Sequence, residues 1–162
     1  MVTFTVSMGN LPMELGSLVI EGNADEILSI RFSDCDNDAS LDTTSRPPLA
    51  NRSIEQLERY FAGRLEQFDL PMNPAGTPFQ QNVWTALKSI PYGNVVSYSE
   101  IARAIGHPQA VRAVGQAIKR NPLHIVIPCH RVIGTNQTLT GYAAGLVRKS
   151  WLLMHEKLSL KQ

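Results

Sequence analysis

The net charge of the chain changes sign close to residue 77. Residues 1–77 carry five Arg and twelve Asp and Glu, a net charge of −7, whereas residues 78–162 carry ten Lys and Arg and two Glu, a net charge of +8. The segment 71–76 has two prolines and a glycine and is typical of a linker. The sequence therefore predicts two domains, residues 1–76 and residues 77–162. The positive charge of the second domain favours a polyanionic partner, and mutual neutralisation of the two domains is the alternative.

Composition and cysteine content indicate an ordinary globular protein of a reducing compartment. Of the 162 residues, 43% are hydrophobic and 18% are charged. No apolar run approaches the ~18 residues that span a bilayer, and the N-terminus has no secretory pattern, so we expect a cytoplasmic protein without a membrane partner. Cys35 lies in an acidic segment far from Cys129, and we predict no disulfide between them. No spacing of Cys and His suits zinc, so no metal site is predicted.

The first domain has the pattern of a small antiparallel sheet with one helix. Short runs of alternating or β-branched residues predict strands, and a turn at 22–25 joins the last two of them. Apolar residues at helical spacing, including Leu57 and Tyr60, predict a helix after the sheet. The predicted elements are strands at 2–7, 17–20 and 27–32, a surface loop at 33–48, a helix from Leu49 or Ser53 to Ala62, and an edge strand from Leu65 to Leu70.

The second domain is predicted to be mostly helical, so the fold class expected for the whole chain is α+β. Thr77 with Gln80, and Ser97 with Glu100, have the spacing of capping boxes that begin helices. Gly106 is expected to end the second of these helices. The remaining predicted elements are a helix beginning at Pro108 with Val111, Val114 and Ile118 facing inward, a buried strand at Ile125–Ile127, a turn at 134–137, a small-residue loop at 141–145, and a final helix from about Leu146 to His155 or beyond.

Two short helices separated by a tight turn with a glycine are typical of a helix-turn-helix, a motif that many DNA-binding domains use. Many helical hairpins share this pattern and bind nothing. The composition of the second helix therefore decides whether DNA binding is predicted. Its residues are mostly small, which would let a nucleic-acid groove approach closely. Arg112 projects among them and has no carboxylate four residues to either side. The residues expected to contact DNA are Tyr98 at the start of the first helix and Ala110, Arg112, Ala113, Gly115 and Ala117 of the second.

The segment Ile127–Val132 reads Ile-Pro-Cys-His-Arg-Val and puts a thiol beside an imidazole and a fixed positive charge. The thiolate is the nucleophilic form of cysteine, and a neighbouring His or Arg stabilises it. The segment therefore predicts that Cys129 is ionised near neutral pH. For an isolated Cys-His pair the alternative is a small buried hydrophobic residue at the end of a strand. The residues around the pair favour a nucleophilic role for Cys129.

Together these segments resemble the O6-alkylguanine-DNA alkyltransferases. The residues that carry the resemblance are Tyr98, Arg112–Gly115, Asn121-Pro122, Ile127–Val132, Gly141-Tyr142 and His155-Glu156. The resemblance is strong over about residues 78–157. In the first domain it extends only to the general layout, and there it implies a ribonuclease-H-like α/β subdomain with a structural role.

The resemblance implies a DNA repair protein that takes an alkyl group irreversibly from O6 of guanine. Cys129 would be the acceptor, His130 the base acting through a water, and Glu156 the group that orients the imidazole. Tyr98 would protonate the leaving guanine, and Asn121 would brace the turn that holds the thiolate. Because the product is a thioether, each molecule would act once, without a cofactor or metal. The resemblance leaves O4-alkylthymine open as a second substrate.

The resemblance also implies how DNA is bound. The damaged nucleotide would rotate out of the duplex, the second helix of the motif would lie in the minor groove, and Arg112 would fill the vacated stack. Main-chain carbonyls at Cys129 and Val132 would accept from the guanine 2-amino group, and the backbone near Ala143 would donate to O6. The residues expected to line the lesion pocket are Pro128, Val132, Tyr142, Ala143, Ala144 and Gly145. We expect a monomer, associated with the nucleoid when bound, and leave cooperative binding along DNA open.

The chain departs from the family pattern at two places. Family members commonly have two glycines where this loop reads Ala144-Gly145, and the extra methyl group predicts a narrower pocket that disfavours bulky adducts such as benzyl. The turn at 134–137 carries Asn136-Gln137 where a glycine is usual, and asparagine tolerates a positive φ.

Three other functions fit parts of the sequence. A lesion-binding relative without activity would keep the fold and the arginine, but it would lack the reactive Cys129. A transcription regulator would need base-reading side chains along the second helix, where alanines predominate. A thiol hydrolase would need an oxyanion hole, for which the sequence has no evident motif.

Overall fold

The computed structural model describes residues 4–35 and 46–160. The chain forms two compact units, Met1–Ala75 and Gly76–Gln162. The first contains a three-stranded antiparallel sheet and a helix, and the second is mainly helical, so the predicted α+β class is confirmed. Among the described residues, no helix is both long enough and apolar enough to cross a membrane.

The strands of the first unit are β1 (Phe4–Met8), β2 (Ser17–Gly22) and β3 (Ile27–Ser33), and its helix is α1 (Pro48–Phe61). The sheet order is β1-β2-β3, and the register brings Val6, Ile20 and Ile30 side by side. All three are fully buried, as are Leu57 and Tyr60 of α1, which contacts β1 and β2. The predicted strands, turn and helix are therefore present. Of the loop predicted at 33–48, residues 36–45 lie outside the described part of the chain.

The edge strand predicted from Leu65 to Leu70 is wrong. This segment has no strand, and the bridge that follows it is a parallel one between Ile27 and Met72. Gln56 supplies the physical reason, because its side-chain amide donates to the Asp69 carbonyl at 2.9 Å and accepts from the Asp69 N–H at 2.8 Å. A side chain thus satisfies backbone groups that a neighbouring strand would otherwise pair.

The elements of the second unit are α2 (Pro78–Lys88), β4 (Val96–Ser97), α3 (Tyr98–Ala104), α4 (Val111–Lys119), a 3₁₀ turn (Cys129–Arg131), β5 (Val132–Ile133) and α5 (Leu146–Leu160). Both predicted capping boxes are present, with Thr77 and Gln80 at the start of α2 and Ser97 and Glu100 at the start of α3. The buried indole of Trp84 donates to the carbonyl of Ala117 at 2.9 Å, which ties α2 to α4. The helix-turn-helix is formed by α3 and α4.

Helix α4 begins at Val111, three residues later than predicted. Gly106 ends α3 with φ +78°, and a turn follows in which the Ala110 N–H donates to the His107 carbonyl at 2.9 Å. Pro108 takes the second position of this turn, which its fixed φ favours, instead of the first position of the helix. The later start leaves Val111 36% exposed, so its predicted inward orientation is also wrong, although Val114 and Ile118 are buried.

The strand predicted at Ile125–Ile127 is wrong, although the segment is buried as expected. Ile125 has φ +71°, and the Val126 N–H donates across it to the His124 carbonyl at 2.8 Å, which makes a tight three-residue turn. A second such turn follows at Pro128, where the Cys129 N–H donates to the Ile127 carbonyl at 2.8 Å. The backbone N–H and C=O groups of this segment form their hydrogen bonds within these turns. Ile125 is β-branched, so its positive φ strains the backbone.

The two-residue strands β4 and β5 were not predicted. They pair in parallel, with Val96 opposite Val132, and join the start of the helix-turn-helix to the segment after the cysteine. The turn after β5 is present, since the Gly134 N–H donates to the Thr138 carbonyl at 2.9 Å. Its positive φ is at Gln137 (59°), not at the asparagine before it.

Candidate active site

Cys129 is the first residue of the 3₁₀ turn and is 3% exposed. Its sulfur accepts a hydrogen bond from Asn121 Nδ2 at 3.1 Å. The same amide nitrogen donates to the Ile127 carbonyl at 2.9 Å, and Asn121 Oδ1 accepts from the Leu123 N–H at 2.9 Å. One buried side chain therefore connects both ends of the strained loop 121–129 and points a donor at the sulfur.

Burial in this structure favours the neutral form of the thiol, against the resting thiolate that the sequence predicts. Burial raises the pKa of Cys129 to about 11, while the Asn121 hydrogen bond and the positive charge of Lys149 lower it by less. The physical reason is desolvation, which disfavours the charged form and here outweighs the groups that stabilise it. No direct hydrogen bond joins His130 to the sulfur within the described site.

His130 and Glu156 form a fully buried pair in which His130 Nε2 lies 2.7 Å from Glu156 Oε1. Burial alone would raise the pKa of Glu156, but the hydrogen bonds and charges of His130 and Arg131 hold it well below the usual glutamate range. Burial lowers the pKa of His130, against the opposing effect of Glu156. The ionised carboxylate can only accept, so neutral His130 carries its proton on Nε2. Nδ1 is then an acceptor, and it is buried without a hydrogen-bond partner among the described residues.

Two basic residues complete this cluster: Arg131, whose charge the sequence analysis expects to stabilise the thiolate, and Lys149, which has no role assigned from the sequence. Arg131 contacts both oxygens of Glu156, with Nε–Oε2 and Nη2–Oε1 distances of 2.9 Å. Lys149 has no exposed surface, and its Nζ donates to the Thr140 carbonyl at 2.8 Å. Burial lowers the pKa of Lys149 to about 8, and the electrostatic interaction with Cys129 opposes this shift. The sequence does contain one indication of the position of Lys149. It precedes Glu156 by seven residues, or two helical turns, so both side chains lie on the same side of α5.

Tyr98 is the first residue of α3 and lies beside this cluster. Its hydroxyl donates to the Thr140 carbonyl at 2.9 Å, the same oxygen that Lys149 contacts. Burial raises the pKa of Tyr98. A Cβ atom at Gly115 would lie 3.9 Å from the Tyr98 ring, so α4 passes close to it. The structure thus brings Tyr98, Gly115 and Lys149 together.

The outward surface of α4 carries most of the residues that the sequence predicted there. Arg112 and Ala113 are exposed, and Ala110 and Gly115 are partly exposed. Arg112 has no hydrogen bond or ion pair within the part of the chain that the structure describes. Ala117 is different, because it is 3% exposed and its carbonyl binds Trp84. Its prediction as a surface residue is wrong, since it faces α2.

The predicted pocket residues fall into a buried and an exposed group. Pro128 and Val132 are buried, and the Val132 N–H donates to the Cys129 carbonyl. Tyr142 is close enough to Cys129 that burial and the sulfur together raise the pKa of its phenol well above the usual value. The remaining members, Ala143, Ala144 and Gly145 (φ +95°), form the partly exposed loop before α5.

The other histidines lie outside the Cys129 cluster or at its edge. The His124 ring packs against Tyr142 at 5.9 Å between centroids, and His155 stacks on Trp151 at 4.9 Å. His107 contacts Phe79 at 6.1 Å. Among the described residues, no group of three His, Cys, Asp or Glu side chains is arranged to hold a metal ion.

Comparison with known proteins identifies the family. The ribonuclease-like domain of 6-O-methylguanine DNA methyltransferase matches residues 8–74, and its DNA binding domain matches residues 78–158. The constitutive methylated-DNA--protein-cysteine methyltransferase of Bacillus subtilis is 47% identical over 154 residues, 91% of this chain and 93% of that protein. The structure of Mycobacterium tuberculosis OGT in complex with DNA is 41% identical with a TM-score of 0.80, covering 96% of this chain and 92% of that one. The chain therefore belongs to the 6-O-methylguanine DNA methyltransferase family.

Proposed function

We propose that the protein repairs DNA directly, by transferring a methyl or other alkyl group from O6 of guanine irreversibly to its own Cys129. The observation that carries this proposal is the buried sulfur held by Asn121 next to an imidazole whose partner is an ionised carboxylate. Family membership and the relatives named as methylated-DNA--protein-cysteine methyltransferases support it. The resulting thioether is stable, so one molecule repairs one lesion.

In the proposed reaction, the sulfur of Cys129 attacks the alkyl carbon while the bond from that carbon to guanine O6 breaks. Because burial raises the pKa of the thiol, its proton is proposed to leave together with the attack. The acceptor for that proton is Nδ1 of His130, reached through a water, and Glu156 stabilises the imidazolium that forms. Lys149 supplies a positive charge near the sulfur as the negative charge develops.

The leaving guanine takes up the electron pair of the broken bond and needs a proton. Tyr98 is the proposed donor, since its hydroxyl lies at the rim of the cluster and is held by the Thr140 carbonyl. Lys149 binds the same carbonyl, so that oxygen connects Tyr98 to Lys149. Carbonyl groups at Cys129 and Val132 are proposed to select guanine. The Cys129 carbonyl accepts the Val132 N–H and retains a second lone pair for a ligand.

The proposed partner is double-stranded DNA with the lesion rotated out of the helix. The match to a DNA binding domain and the DNA complex of the Mycobacterium tuberculosis relative support DNA as the partner. Small residues on α4 suit a close approach to the minor groove, and Arg112 has no competing partner among the described residues. The proposed unit is a monomer. The first unit is proposed to be structural, and the site of action is the cytoplasmic nucleoid, where the DNA lies.

Arg112→Ala is expected to slow repair of duplex DNA by about tenfold or more, because a side chain that fills a vacated base stack contributes ~1–3 kcal/mol. Single-turnover transfer from an O6-methylguanine duplex measures this effect. Transfer from the free O6-alkylguanine base requires no base rotation and should be unchanged. Equal slowing on both substrates would contradict the proposed role of Arg112.

Ala144→Gly is expected to raise the rate with O6-benzylguanine relative to O6-methylguanine by about tenfold, because one methyl-sized group in a pocket is worth ~1–3 kcal/mol. Single-turnover rates with oligonucleotides carrying each adduct give the ratio. Ala75→Gly is the matched control, since Ala75 is exposed in the segment before α2 and outside the predicted pocket, and it should leave the ratio unchanged. A wild-type protein that already reacts equally fast with both adducts would remove this hypothesis.

The proposed function is tested by titrating the protein with duplex DNA that carries a radiolabelled O6-methyl group. The expected result is label transfer to protein that stops at one methyl group per molecule, with unmodified guanine left in the DNA. A lesion-binding protein without activity would bind the duplex tightly and remain unlabelled. A regulator that reads base sequence would bind unmethylated operators better than methylated DNA of random sequence.

A further inference from the structure

We propose that Arg131 is a positioning residue for the transfer reaction: by holding both carboxylate oxygens of Glu156 and sharing their charge, it leaves His130 free to accept the proton of the thiol. This inference rests on the proposed function and extends it to a residue outside the group formed by the cysteine, the histidine and the glutamate.

The geometry around Arg131 is that of a two-pronged clamp. Its Nε and Nη2 each lie 2.9 Å from a different oxygen of Glu156. Its third arm, Nη1, donates to the Ile90 carbonyl at 2.7 Å, and the guanidinium lies 5.6 Å from the centre of the Tyr92 ring. All three nitrogens are engaged, and the residue is 6% exposed. A planar fork of this kind fixes a carboxylate in position and angle, which a point charge cannot do.

Glu156 Oε1 is shared between two donors, and this sharing couples Arg131 to His130. His130 Nε2 lies 2.7 Å from Oε1, and Arg131 Nη2 lies 2.9 Å from the same atom. The Gly93 N–H adds a contact to Oε2 at 3.4 Å. An oxygen that already receives a charged donor attracts a proton on the imidazole less strongly than a free carboxylate would.

The charges that face His130 come from two elements. Glu156 and Lys149 belong to α5, while Arg131 belongs to the 3₁₀ turn, together with Cys129. Of these groups, Glu156 raises the pKa of His130, and Arg131 and Lys149 lower it. Without Arg131, the carboxylate would face the imidazole almost alone, and the pKa of His130 would rise. An imidazole that is already protonated cannot take the thiol proton, so transfer would be lost at the lower end of the pH range.

Two substitutions of Arg131 separate the effect of its charge from the effect of its geometry. Arg131→Gln removes the charge but retains a planar donor, and we expect the acid limb of its pH–rate profile to move to higher pH. Each unit of that movement lowers the rate about tenfold at a fixed pH on the limb. Arg131→Lys retains the charge but loses the fork, so its acid limb should stay in place while the plateau rate falls about tenfold or more. A merely structural arginine predicts that both variants are slower by one factor at every pH.

The experiment measures single-turnover methyl transfer to Cys129 across the pH range in which histidine titrates, together with the His130 ring nitrogen shifts by NMR. A higher His130 titration point in Arg131→Gln than in wild type supports the inference without requiring any activity. An unmoved titration point, or a wild-type plateau rate in Arg131→Lys, would overturn it. If Arg131→Gln does not fold, the plateau rate of Arg131→Lys tests the inference by itself. Failure of the proposed function would give a different result from failure of this inference, because the wild-type protein itself would remain unmethylated.

Discussion

Replacing Cys129 with serine is expected to abolish alkyl transfer while the fold and the affinity for DNA remain. A serine hydroxyl matches the thiol in shape and can still accept the hydrogen bond from Asn121, but it is far less acidic and a weaker nucleophile toward carbon. Thermal unfolding and DNA binding of Cys129→Ser establish that the protein is intact. Single-turnover repair of O6-methylguanine DNA should then fall to the rate seen without protein.

Cys35→Ser is the matched control for this substitution. Cys35 is exposed, whereas Cys129 is buried, so its loss should leave the transfer rate at the wild-type value. Repair that continues in Cys129→Ser, or that stops in Cys35→Ser, would contradict the assignment of the acceptor.

The second large effect is expected for Glu156→Gln, which should lower the free energy of unfolding by ~3–5 kcal/mol, because it leaves the buried Arg131 without its counter-charge. Glu156 has no exposed surface and accepts hydrogen bonds from His130 and Arg131. Urea unfolding at neutral pH measures the loss. Transfer should also slow, because the imidazolium formed during the reaction would lack a carboxylate partner.

The same substitution makes a prediction about pH. The folded-state pKa of Glu156 is depressed, so its contribution to stability is complete above the ordinary glutamate pKa of ~4.3 and is lost as the pH falls below it toward the folded-state value. The stability of Glu156→Gln should therefore depend less on pH in that acid range than wild type does. Glu55→Gln, on an exposed position of α1, is the control and should behave like wild type. Equal acid dependence of Glu156→Gln and wild type would contradict the burial of an ionised pair.

Local interactions explain which parts of the fold the sequence predicts well. The capping boxes at Thr77 and Ser97 depend on residues three positions apart, and both are present. The strands β2 and β3 have alternating residues and a turn between them, and both form. These features depend on little beyond their own segments, so a pattern of a few residues suffices to find them.

The features that the sequence does not predict depend on contacts between distant segments. Ile125 has a strongly β-forming side chain, yet it adopts a positive φ in a loop held by Asn121. Lys149 reads as an ordinary surface lysine, but the loop at Thr140 and the side chain of Tyr98 enclose it. The raised pKa of Cys129 follows from burial, which no neighbouring residue in the sequence reveals. The sequence therefore identifies most members of the candidate site, but it misses Lys149 and the electrostatics.

Peptide mass mapping of the protein after reaction with O6-methylguanine DNA tests the identity of the acceptor most directly. The account predicts a single added methyl group on the peptide that contains the sulfur bound by Asn121, with the Cys35 peptide unchanged. A methyl group on any other residue, or demethylated DNA beside an unmodified protein, would contradict it.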